Sequence, residues 1–122
     1  MKRIAALGAL LSTTLLSGAL LAGANQDFTL VNKTGYTLDK VFVSPSKSDD
    51  WEDDVLGRET MADGETVPIH FSRGTTTCTW DLKVVYTDDD STAVWHDIDL
   101  CSVSKITIFY NRDADKTTAK YE

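Results

Sequence analysis

This chain lacks the short motifs that usually announce an enzyme. It has no G-x-S-x-G, no C-x-x-C, no H-E-x-x-H and no phosphate-cradling glycine loop. Cysteine is scarce: the 122 residues contain two, Cys78 and Cys101. If these oxidise, they must pair with each other or with another molecule, and a bonded pair leaves no thiol to act as a nucleophile. Basic residues are also few. Twelve Lys and Arg face 19 Asp and Glu, a formal charge of −7, which argues against nucleic acid or anionic lipid as a partner. Internal repeats, linkers and low-complexity tracts are missing, so one domain is expected.

The N-terminus supplies an address. Met1-Lys2-Arg3 is followed by an apolar stretch from Ile4 to Leu21 and then Ala22-Gly23-Ala24. That order of charged, hydrophobic and small residues is a secretory signal peptide, residues 1–24, with cleavage expected after Ala24. No cysteine follows the apolar stretch to carry a lipoprotein anchor, there is no twin-arginine pair, and nothing resembling a stop-transfer segment follows. A stable membrane anchor after cleavage is therefore not expected. The remaining 98 residues, 25–122, carry ten basic and 19 acidic side chains, a net charge of −9. A domain of this size buries a little over about 60% of its extended surface, so a disulfide is a plausible supplement to a modest core.

The stretch from Cys78 to Cys101 organises the rest. Trp80 to Tyr86 alternates bulky apolar and polar residues, Asp88 to Ser91 break the pattern, and Ala93 to Leu100 resumes it. This reads as a β-hairpin clipped at its open end by a Cys78–Cys101 disulfide. The loop-entropy model values such a clip at roughly 3.4 kcal/mol, against a total stability of about 5–15 kcal/mol for a small domain. Simple alternation sends Val94, His96, Ile98 and Leu100 to one face and Trp95, Asp97 and Asp99 to the other. With Cys78 directly opposite Cys101, the apolar faces of the two strands would then point to opposite sides. Either a β-bulge restores the match, or Cys101 has already left the strand.

Further strands are expected at Phe28–Val31, Leu38–Ser44, Thr66–Phe71 and Ser104–Tyr110, about six in all. Pro45 ends the second, and Pro68 marks the third as an edge or a bulge. Between them, residues 46–64 form a long acidic connection in which Ser48 can cap a short helix, with Trp51 and Val55 docked on the sheet and Gly57 as its stop. Residues 113–122 are polar and expected to fray. The fold class is thus all-β, a small antiparallel β-sandwich with one acidic loop or short helix and a clipped hairpin.

Three sets of residues are candidates for chemistry. Asp49, Asp50, Asp53 and Asp54 concentrate carboxylate oxygens of the kind calcium favours, although their spacing is not that of an EF-hand and a solvated acidic face is the plainer reading. His70 and His96, with neighbouring carboxylates, could hold zinc or act as a base in a small hydrolase-like enzyme if they converge in one cleft. Tyr36, Trp51 and Trp95 fall in or near turns or on a mixed strand face, where aromatics suit ligand or protein recognition. Asn32-Lys33-Thr34 formally matches a glycosylation acceptor.

Several short motifs carry a likeness. Asn32-x-Thr34-Gly35, Val43-Ser44-Pro45-Ser46, Trp51 with Asp54 and Leu56-Gly57, Asp81-Leu82-Lys83-Val84-Val85, and Asp99-Leu100-Cys101 together resemble a group of small exported bacterial β-domain proteins of unknown function. Glu52 stands where that group would have a small residue. The resemblance implies a stand-alone β domain, periplasmic or secreted, and implies no activity. The resulting expectation is a non-enzymatic exported domain that binds a protein or cell-envelope component through residues 46–64 and the adjoining sheet face. A calcium-dependent binding module and the small histidine enzyme are the alternatives.

Overall fold

The structure is a computed structural model that describes residues 24–122; all of the expected leader except Ala24 lies outside the described residues. Seven strands follow in order: β1 (Phe28–Lys33), β2 (Leu38–Pro45), β3 (Thr66–Ile69), β4 (Thr79–Tyr86), β5 (Thr92–Asp99), β6 (Lys105–Asn111) and β7 (Lys116–Tyr121). They form two sheets, one of four strands in the order β3-β1-β6-β7 and one of three in the order β2-β4-β5. Every pairing is antiparallel except β1 with β6, which is parallel. The described residues contain no helix.

Alternation builds the core. Phe28 and Leu30 of β1 and Ile106 and Ile108 of β6 are buried together with Val41, Val43, Leu82 and Val84 of the second sheet. Leu38, Met61 and Leu100 fill the ends, each at 1% exposure or less. Burying side chains of this size contributes about 1.5–3 kcal/mol each. Pro68 does sit on an edge strand, because β3 ends its sheet.

The parity conflict in the clipped hairpin is resolved in both of the anticipated ways. Trp80 pairs with Ile98 but Leu82 pairs with Trp95, so two residues of β5, His96 and Asp97, lie opposite the single Asp81. Asp97 adopts a φ of 58°, a left-handed conformation that aspartate tolerates better than most residues. Cys101 also lies beyond β5, and its sulfur bonds Cys78 with the two Cα atoms 5.2 Å apart. The bulge corrects the simple alternation: Ala93 and Trp95 pack against the core with Ile98, while Val94 and His96 are exposed.

Two other expectations change. The segment from residue 113 does not fray: it carries β7, paired with β6 from Ile106↔Tyr121 to Asn111↔Lys116. Residues 46–60 contain no helix. Aspartate-rich segments have weak helix propensity, and here the segment's polar groups are engaged by β2 instead. Asp54 Oδ1 accepts the Val41 amide at 2.9 Å and the Leu56 amide at 3.0 Å. The Val55 amide donates to the Val41 carbonyl, and Leu38 and Met61 form an isolated bridge. These contacts cover the edge of β2 that β4 leaves open, a protected edge in place of an exposed one.

Candidate functional site

Three tyrosines, one from a turn and two from different strands, meet at one end of the sandwich. Tyr36 leaves the β1–β2 turn, Tyr86 ends β4 and Tyr110 lies near the end of β6. Their ring centroids are 5.5 Å apart for Tyr36–Tyr110, 6.1 Å for Tyr36–Tyr86 and 6.2 Å for Tyr86–Tyr110, all edge-to-face. Such pairs add about 0.5–1.5 kcal/mol beyond their burial. Beside them opens a cleft of about 540 Å³, lined also by Asp88 and Asp89 from the β4–β5 tip and by Asp115 and Lys116 from the β6–β7 hairpin.

Each tyrosine is placed by local sequence. Asn32, fully buried, donates its side-chain amide to the carbonyls of Tyr36 at 2.8 Å and Met61 at 3.0 Å. Gly35, at a φ of 86°, donates its own amide to Asp63 Oδ1. The glycosylation match at Asn32 is thereby explained structurally: its amide nitrogen is inside the fold holding the turn that presents Tyr36. At the β4–β5 tip, Asp89 Oδ1 accepts the Ser91 amide and hydroxyl, and those bonds hold the Asp89 carboxyl below the usual range. Asp90 takes the left-handed φ of 58°. Tyr110 donates its hydroxyl to Asp115 Oδ1 at 2.5 Å, and that carboxylate pushes the phenol up to about 12. Tyr86 is raised too, chiefly by burial, and its hydroxyl lies 2.8 Å from Thr117 Oγ1. The Tyr86 and Tyr110 phenols are therefore neutral hydrogen-bonding groups near neutral pH.

Of the aromatics, the histidines and the acids at 49–54 singled out from the sequence, only Tyr36 lines this cleft. Trp51 instead packs on Phe42, with ring centroids 6.4 Å apart, on the outer face of the three-stranded sheet. Lys83 Nζ lies over both rings, at 5.3 and 5.6 Å from their centroids, a cation–π arrangement. Trp95 is half-buried against the core. None of residues 46–64 lines the cleft.

The histidines do not meet in a common cavity. His70 Nδ1 pairs with Asp27 at 3.2 Å beside a smaller cavity of about 240 Å³ that Phe71 and Trp80 also line. His96 Nδ1 pairs with Asp81 at 2.9 Å on the bulge. Both imidazoles are largely exposed, at 72% and 67%. Asp81 is the more informative member of its pair. Burial raises its pKa, but the Asp97 amide, the His96 ring and the Ser46 hydroxyl outweigh that and leave it lowered. Its carboxylate works as the fastener of the bulge.

Asp49, Asp50 and Asp53 are exposed, and Asp54 is committed to the backbone of β2. Among the described residues, the only three His, Cys, Asp or Glu ligand atoms gathered within 4.8 Å of one another belong to Cys78, Asp99 and Cys101. Their sulfurs are in the disulfide. No preassembled carboxylate cage exists at residues 49–54. A disulfide is the state favoured by an oxidising compartment, and among the described residues no helix is long and apolar enough to cross a membrane.

Tyr86, Tyr110 and Asp115 were not visible as site residues in the sequence. The available signal was weak: tyrosines at the ends of two strands, each followed by an aspartate-rich turn. Compared with known families, curated proteins and solved structures, the chain matches none. The likeness to small exported bacterial β domains rests on the short motifs alone.

Proposed function

We propose that this chain is an exported, non-enzymatic binding domain for a protein or cell-envelope component, and that it makes contact through the tyrosine cleft. The observation that carries the reading is the convergence of Tyr36, Tyr86 and Tyr110 on an open cleft. Tyrosine presents a large apolar body and a polar tip at low entropic cost, which is why it is enriched where proteins recognise partners. Clefts of this volume with a few convergent polar groups are the usual form of a recognition site. The leader-like N-terminus and the disulfide support an extracytoplasmic setting.

The test is saturable retention of the oxidised protein on an isolated envelope fraction. Retention should fall about tenfold or more with Tyr110→Ala, within the range of a recognition hot spot, and should persist with Trp51→Ala. Loss with Trp51→Ala alone would move the contact to the outer sheet face beside residues 46–64. Non-saturable retention of the wild type would sink the reading.

A further inference from the structure

The chemistry of the cleft specifies more than recognition in general. We infer that it takes a cationic side chain, the arginine or lysine of an extended basic polypeptide segment. This rests on the cleft being the recognition site. Three carboxylates, Asp88, Asp89 and Asp115, face it against a single ammonium, Lys116. The domain that surrounds it carries a net charge of −9 once the leader is removed, so the long-range field and the local lining agree in sign. The half-buried rings of Tyr36 and Tyr110 add a second attraction of the same sign, because an aromatic face draws a cation, and a guanidinium stacks on it as well. Tyr110 strengthens this by donating its hydroxyl to Asp115. That bond shifts electron density toward the phenol and fixes the carboxylate beside the ring.

The strand order favours a polypeptide over a small free cation. β5 and β7 are the outermost strands of their sheets, and both line the cleft, through Thr92, Ala93 and Val94 on one side and Lys116 and Thr117 on the other. An extended segment entering here meets a strand edge while its side chain reaches the tyrosines. Edge pairing supplies affinity through the main chain, and the pocket supplies specificity through the side chain. An acidic or neutral segment would gain the first and lack the second.

The experiment is an NMR titration of the isotopically labelled, oxidised protein with the capped peptide Gly-Arg-Gly-Arg-Gly, and with its Gln and Glu counterparts. The Arg peptide should shift amide signals of residues 87–93 and 111–117 saturably. The Gln peptide should bind roughly tenfold more weakly, and the Glu peptide should leave those signals in place. Asp115→Asn should weaken the Arg peptide about fivefold, and Asp88→Asn, at the exposed tip, should do so in the same direction without touching the Tyr110 contact. Equal binding of all three peptides in the cleft would overturn the cation inference while leaving the recognition reading intact. Shifts confined to residues 49–54, or none at all, would overturn the inference. The Tyr110→Ala retention assay then decides separately whether the recognition reading falls with it.

Discussion

The two hairpins that wall the cleft are built on different principles. β4–β5 is pinned at its open end by Cys78–Cys101, fastened at the neighbouring bulge by Asp81, and apolar on its inner face, where Trp80, Leu82, Val84 and Ile98 are buried. β6–β7 has no covalent clip. Its second strand, Lys-Thr-Thr-Ala-Lys-Tyr, presents only Thr117 and Ala119 as half-buried residues. It is held by the backbone ladder, by the Glu122 carbonyl accepting the Ser104 and Lys105 amides, and by the Tyr110–Asp115 and Tyr86–Thr117 contacts. The Lys105–Glu122 pair, exposed and 4.0 Å apart, adds little. One wall is therefore fixed and the other adjustable, which suits a cleft that must hold its shape yet admit a partner.

Removing the clip should erase most of that difference. Replacing Cys78 and Cys101 together by serine should cost roughly 3.4 kcal/mol on the loop-entropy model, a fall in Tm of about 14–27 °C for a domain of this size. Thermal melts check it, and an unchanged midpoint would mean that packing alone fixes the β4–β5 wall.

The fastener comes next. Asp81→Ala should cost about 2 kcal/mol near neutral pH by stranding the Asp97 amide and freeing the bulge. The pH dependence has a definite sign. Because the folded carboxyl is lowered from its ordinary 3.8, the stabilisation is complete above the unfolded value and is lost as pH falls through the folded one. Denaturant titrations between about pH 2 and 6 should therefore show the wild type and the variant converging at the acid end. A constant gap across that range would show that the carboxylate's charge plays no part.

The β6–β7 wall should respond more gently. Tyr86→Phe removes the hydroxyl that reaches Thr117 across the sheets and should cost about 1 kcal/mol. Amide exchange in β7 should accelerate in that variant while β4 stays protected. Equal acceleration in both strands would show that the two walls open as one unit. The smallest effect is expected from metal. Melting curves in calcium, magnesium and chelator should superimpose, since Asp49, Asp50, Asp53 and Asp54 form no gathered site. A calcium-specific rise of about 10 °C or more would be the mark of a real site there.

Strands β3 to β6 follow from period-two alternation, β1 and β2 from short runs of apolar and β-favouring residues, and the bulge from a conflict of parity, a local rule violated for a reason. β7 was hidden because an edge strand with small inward residues has no apolar period to detect. The acids at 49–54 are neighbours in sequence, yet adjacent side chains on a non-helical backbone point apart. The cleft assembles its carboxylates instead from two separate tips, Asp88 and Asp89 with Asp115. Its tyrosines come from one turn and two strands, and no linear spacing records that they meet.

The parallel pairing of β1 with β6 has a consequence for how the molecule comes into being. Thr29 pairs with Lys105, 76 positions further along, and β1 forms the middle of its sheet between β3 and β6. A chain that emerges from its N-terminus first can pair β1 with β3 early, but its pairing with β6 waits until nearly the whole polypeptide is available. Contacts of such long sequence separation slow folding, because loop closure precedes any gain from pairing. During that interval only the edge of β1 that faces β6 is without its partner strand. The last two strands to arrive, β6 and β7, complete the four-stranded sheet and bring Tyr110, Lys116 and Thr117 to the cleft.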